Sequence, residues 1–195
     1  MYFDAKTLFL LLAIAITVIA YIPYIRDILN HKTKPHIYTW LIWLITVSTA
    51  AMGAWHGGSS LTSVGIWVFV FYVFIISLLS FKYGTKDITK SDTFFLLLAL
   101  SAVLLWWQLN NPLLAVLMVT VIDVLAYVPT YRKSFKDPYS ETIIFWLAMA
   151  LVNTLLLLAN TEYNLLTVTY VAALIITNII QVLVCIFRRR AIATK

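Results

Sequence analysis

A chain of 195 residues that is 63% hydrophobic and 11% charged, with a mean hydropathy of +0.94, lacks the polar surface to stay dispersed in water and reads as an integral membrane protein. Its net charge of +6 sits beside apolar segments, which favours anionic lipid headgroups over nucleic acid as the partner. The single cysteine, Cys185, excludes an internal disulfide and a cysteine-cluster metal site.

A hydrocarbon core about 30 Å thick takes roughly 20 helical residues to cross. Seven apolar stretches meet that length approximately, at 7–24, 37–55, 61–81, 93–109, 112–131, 142–159 and 164–187. The first is expected to be retained as a helix, since no charged start with a short apolar core and a small-residue cleavage site is present. The connections at 56–60, 110–112 and 160–163 are brief and rich in turn-forming residues.

Thirteen of the fourteen Lys and Arg residues fall on alternate sides of these stretches: Arg26, Lys32 and Lys34; Lys82, Lys86 and Lys90; Arg132, Lys133 and Lys136; then Arg188, Arg189, Arg190 and Lys195. Only Lys6 lies opposite. The positive-inside rule then puts the N-terminus outside and the C-terminus in the cytoplasm, with the plasma (inner) membrane as the default location. Trp55, Trp106 and Trp107 stand near outer helix ends, and Trp40, Tyr83, Tyr131 and Tyr139 near inner ends, as interfacial anchors do.

The chain also repeats itself. Ala20-Tyr21-Ile22-Pro23 recurs as Ala126-Tyr127-Val128-Pro129, and in the same register Arg26 matches Arg132, Ile37 matches Ile143, Trp40 matches Trp146 and Leu41 matches Leu147. The expected fold is therefore all-α, with seven transmembrane helices as two parallel three-helix repeats joined by a linking helix: 1–83, then 84–111, then 112–195.

Tyr21-Ile22-Pro23-Tyr24-Ile25, the following basic stretch with Lys32-Thr33, and His36-Ile37-Tyr38-Thr39-Trp40 resemble the PQ-loop repeat. The second copy keeps Tyr127-Val128-Pro129-Thr130, with Pro138-Tyr139 where the motif's Lys-Ser stands. Tyr24 and Thr130 replace the motif's Gln, which points away from lysosomal amino-acid exporters of the cystinosin type. In topology the resemblance covers nearly the whole chain and extends to the SWEET sugar transporters. Nicotinamide riboside transporters of the PnuC type are similar in architecture but begin in the cytoplasm, against the charge distribution here. The resemblance implies alternating access around a midplane cavity, with Pro23 and Pro129 as hinges; a plain helix-ending proline is the alternative at each position.

Polar groups deep in a span mark a pathway or an interhelical bond. Asp123 and Asn153 each lie eleven residues into their stretches and Asn178 fourteen, about 16 to 21 Å along the helix and hence near the midplane. Asp123 is the one acid at that depth, and its counterpart in the first repeat is Thr17. It is read either as a proton-coupling or solute-binding acid or as an interhelical hydrogen-bond partner. Trp146, Asn153 and Asn160 share one helical stripe, and Thr167, Tyr170, Leu174, Asn178 and Gln181 form another. The SWEET resemblance implies that Asn178 contacts substrate, with Tyr72 at the matching place in the first repeat. Asn153, Trp146 and Gln181 complete the expected set, with interhelical bonding and packing as the alternative for each.

His31, His36 and His56 lack metal-ligand spacing and read as solvated loop residues, while Arg26 and Arg132 read as lipid-phosphate or helix-capping groups. Neither a cofactor nor a metal is expected, and no nucleophile-base pair or phosphate loop suggests an enzyme. The expectation is a transporter, a facilitator or proton-linked carrier, of a small polar solute such as a sugar, amino acid or vitamin. The SWEET resemblance implies that copies can associate as a homo-oligomer, with Trp-rich outer faces as the expected contact. The alternative is a non-transporting receptor or scaffold on the same fold.

Overall fold

A computed structural model describes residues 4–56, 60–108, 112–159, 163 and 165–193. Among the described residues, runs of apolar residues with few helix breakers fold into seven α-helices: α1 (Ala5–Leu29), α2 (Ile37–His56), α3 (Ser60–Tyr83), α4 (Lys90–Gln108), α5 (Pro112–Lys136), α6 (Ile143–Ala159) and α7 (Leu165–Ala193). One 3-10 turn, Pro138–Ser140, precedes α6. Of the connections expected at 56–60, 110–112 and 160–163, residues 57–59, 110–111 and 160–162, Asn160 among them, lie outside the described residues. So do the side chains of Trp55, His56, Trp106, Trp107 and Thr167.

By length and composition, α1 and the Val168–Ala193 part of α7 suit a membrane crossing; shorter apolar stretches occupy Ile37–Ser48, Trp67–Tyr83 and Ile143–Ala159. The exterior of the bundle is apolar, with Ile22 61%, Phe81 66% and Ile144 62% exposed, while Thr17, Thr46, Asp123 and Gln181 are buried. A water-soluble fold is arranged the other way round.

Helix contacts come in matched pairs. α1 packs on α6 as α5 packs on α2, α2 on α3 as α6 on α7, and α1 on α3 as α5 on α7. The first helix of each half thus lies against the second helix of the other. α4 stands outside this exchange and packs on α5 and α2.

Pro23 and Pro129 lie inside their helices: α1 runs on to Leu29 and α5 to Lys136. Neither proline ends its helix. Each removes the backbone donor that would have met the carbonyl one turn earlier, at Ile19 and Leu125, leaving a point of weaker bonding.

At the end of the bundle where α1 finishes, the connections are tied together by backbone bonds. Lys34 N–H donates to the Ser140 carbonyl at 2.9 Å and Thr85 N–H to the Pro35 carbonyl at 3.1 Å. The second bond depends on Gly84, where an added Cβ would sit 2.2 Å from the Ser80 oxygen and 2.8 Å from the Pro35 oxygen.

Three aromatic and loop expectations are corrected by burial. Trp40 is 1% exposed and packs inside the bundle rather than anchoring at an interface. Tyr131 is half-buried and donates its hydroxyl to the Thr177 carbonyl at 2.7 Å. His36 is fully buried, not solvated, because the ordered segment 31–36 folds over the helix ends.

Candidate functional site

Between α1, α2, α3, α5, α6 and α7 lies a cavity of about 500 Å³, within the range of small-molecule sites. It begins beside the exposed Asp4 and the first turn of α1, at Lys6 and Thr7, and runs inward along Ala13 and Thr17. Asp123, Asn153 and Asn178 all line it, so the three polar residues expected near mid-helix are brought to one space. Trp146 lines it as well.

An aromatic floor closes the inner end. Trp43 meets Tyr127 edge-on at 4.7 Å between centroids and Trp40 at 5.1 Å, and Trp146 lies 6.0 Å from Trp43 and 5.2 Å from Phe145. These offset and edge-to-face arrangements are the favourable ones for rings in contact. They join α2 and α5 to α6.

Several polar groups in and behind the walls are fixed by partners of their own. Thr46 donates its hydroxyl to Asp123 Oδ1 at 2.7 Å, and the Tyr170 hydroxyl bonds the same carboxyl. Asn153 Nδ2 donates to the Met149 carbonyl at 2.8 Å and Asn178 Nδ2 to the Leu174 carbonyl at 2.6 Å, each one turn back on its own helix. Thr17 donates to the Ala13 carbonyl at 2.8 Å. Asn178 Oδ1 and Trp43 Nε1 are buried without a partner among the described residues.

Tyr72 and Gln181 do not line the cavity. Tyr72 stacks on Tyr21 with centroids 4.7 Å apart, and it is Tyr21 that lines the wall. Gln181 lies farther along α7, donating from Nε2 to Ser134 Oγ at 2.7 Å, with its Oε1 unpartnered among the described residues.

Beneath the floor lies a polar plug that sequence reading missed. Lys133 and Glu141 form a buried ion pair. Glu141 Oε2 also accepts from Trp146 Nε1 at 3.0 Å and from the Tyr24 hydroxyl at 3.3 Å. Lys133 donates further to the Lys34 carbonyl at 2.5 Å, and Arg189 to the Glu141 carbonyl at 2.7 Å. Thr142 donates to Asp27 Oδ2 at 2.7 Å and so receives its second bond from Thr33. The available signal was Glu141 itself, an acid five residues before Trp146 in a stretch whose other acid is Asp137.

A second charged cluster ties α4 to the bundle. Asp92 caps α4 by accepting from the Thr89 backbone at 2.8 Å, and it pairs with Arg132 of α5. Arg132 is therefore a helix-to-helix tie. His36 Nε2 lies 3.5 Å from the same carboxylate oxygen, too far for a good hydrogen bond, and neither ring nitrogen has a partner among the described residues. Burial, more than the neighbouring Lys133 and Arg132, lowers the His36 pKa to about 4 against the pull of Asp92, so the ring is neutral at pH 7.

Among the described residues no cluster of His, Cys, Asp and Glu suits a metal ion. No protein family, curated protein or solved structure matches this chain.

Proposed function

We propose that this chain is a membrane transporter that moves a small polar solute by alternating access. In this reading all seven helices cross the bilayer, as two parallel three-helix repeats around the linking α4, with the N-terminus outside. Support for the frame comes from the apolar exterior, the alternating basic loops and the matched helix contacts. The observation that carries the reading is the cavity itself. It gathers Asp123 and Asn153 and Asn178 among rings from both halves, reaches one end of the bundle, and stops at the Glu141 plug toward the other.

In this reading the structure represents one of a carrier's two states, the outward-facing one. Reaching the other state requires the plug to part and the two halves to rock, with the bonding gaps at Pro23 and Pro129 as the flexing points. Asp123 is the proposed coupling acid, and Asn153, Asn178 and Trp146 the proposed solute contacts.

Uptake by vesicles containing the purified protein, measured across sugars, amino acids, amines and vitamins, tests the reading. Saturable uptake of one class, reduced by Asn178→Ala, supports it. Flux no greater than that of empty vesicles for every class would turn the reading toward a non-transporting receptor.

A further inference from the structure

The chemistry of the cavity narrows its ligand. Below the mouth its one formally charged group is Asp123, and Lys6 is the one basic side chain on the described lining. Lys6 lies eleven residues before Thr17 on α1, about 16 Å along the axis. No described ion pair includes Asp123. Low surrounding polarity magnifies any charge interaction made there.

Hydrogen-bonding capacity points the same way. The Thr17 and Thr46 hydroxyl hydrogens are already committed, to Ala13 and to Asp123. Both cavity amides are tethered through Nδ2 to their own helices, and Asn178 Oδ1 is a buried acceptor with no described partner. Carboxylate and amide oxygens on facing helices call for a ligand with N–H donors. Trp43 Nε1 is a buried donor on the lining with no partner among the described residues, and it calls for one neutral oxygen on the ligand.

We infer that the cavity binds a small protonated primary amine carrying hydroxyl groups and no carboxylate, with its ammonium between Asp123 and Asn178 Oδ1 and a hydroxyl oxygen on Trp43 Nε1. The inference deepens, and rests on, the reading of this cavity as a carrier's solute site. A zwitterion fits poorly, because its carboxylate would lie within a few ångströms of the ammonium with no basic group at that depth. A neutral sugar leaves the carboxylate without its counter-charge. A quaternary ammonium brings charge and no N–H donor.

The test is ligand-dependent thermal stability of the detergent-purified full chain at pH 7. The probes are 2-aminoethanol and glucosamine, with glucose, alanine and tetramethylammonium as comparisons. The two amines should raise the unfolding midpoint saturably while the comparisons leave it in place. Asp123→Asn, which keeps the shape and removes the charge, should weaken amine binding about 10- to 100-fold. Trp43→Phe, which keeps a ring and removes the N–H, should weaken it about 3- to 10-fold and decides the matter if the Asp123 variant does not fold.

Equal or greater stabilisation by glucose, alanine or tetramethylammonium overturns the inference, as does amine stabilisation that survives both substitutions. The vesicle panel separates the two levels of the argument. If the amines fail to bind while another solute is carried, the ligand class is wrong and the carrier reading stands. If no probe binds and no solute is carried, both fall.

Discussion

Glu141 Oε2 accepts hydrogen bonds from Trp146 at 3.0 Å and from Tyr24 at 3.3 Å, so one carboxyl joins the floor of the cavity to the buried Lys133 beneath it. A solute that displaces Trp146 therefore disturbs the plug directly. Because Tyr24 comes from the first half of the chain and Lys133 and Trp146 from the second, Glu141 also holds the halves together.

Breaking that pair from one side leaves an uncompensated buried ammonium. Glu141→Gln should lower unfolding stability by about 3 kcal/mol, whereas the double change Lys133→Met with Glu141→Gln should recover most of the loss. Thermal unfolding of the three variants in detergent checks this. Equal losses in the single and double variants would show that the pair itself is not the stabilising element.

The buried His36 gives stability a definite pH dependence. Its folded pKa is lowered to about 4, below an ordinary value of 6.5, so between those limits the unfolded chain binds the proton more readily. The contribution of the neutral ring is complete above pH 6.5 and is lost as pH falls toward about 4. Asp92, Arg132 and Lys133 face the same ring and set its charge environment. Unfolding midpoints measured from pH 7.5 down to 4 should fall in that window, and His36→Gln should flatten the profile.

Gly84 has no room for a side chain, since the atoms in the way are the backbone oxygens of Ser80 and Pro35. Gly84→Ala should cost about 1–3 kcal/mol by forcing the α3 end away from segment 31–36 and weakening the Thr85 to Pro35 bond. A thermal midpoint unchanged from wild type would show that this approach is not required.

If the prolines are flexing points, replacing them separates stability from motion. Pro23→Ala and Pro129→Ala should each leave thermal stability unchanged or higher, by restoring a donor to the Ile19 or Leu125 carbonyl, while slowing vesicle uptake about tenfold or more. Unaltered uptake with raised stability would remove the hinge role and leave the carrier reading in place.

Helix existence and order were readable because apolar run length is a local property. The expected ends were closest where a turn residue marks them, at Pro112 and Ala159. They were short at α1 and α7, which run on to Leu29 and Ala193, since backbone bonding continues past the point where side chains turn polar. Asp123, Asn153 and Asn178 were legible as cavity residues because a polar group deep in an apolar run is locally conspicuous. Their matched depth put them at one level. Tyr72 and Gln181 shared helical spacing with such residues, yet spacing alone does not say which ring or amide reaches the cavity and which is spent on Tyr21 or Ser134.

By itself the sequence determined an all-helical, apolar chain with an internal repeat, paired prolines and a small set of deep polar residues, all of which are periodic or compositional signals. Tertiary structure alone decided that His36 is buried, that Trp40 forms a cavity floor, and that Lys133, Glu141, Tyr24 and Trp146 make one plug. Those contacts join residues up to 117 positions apart, and no local pattern encodes which helix faces which. Charge pairing and aromatic contact are properties of distance in space, and that distance exists only once the helices have packed.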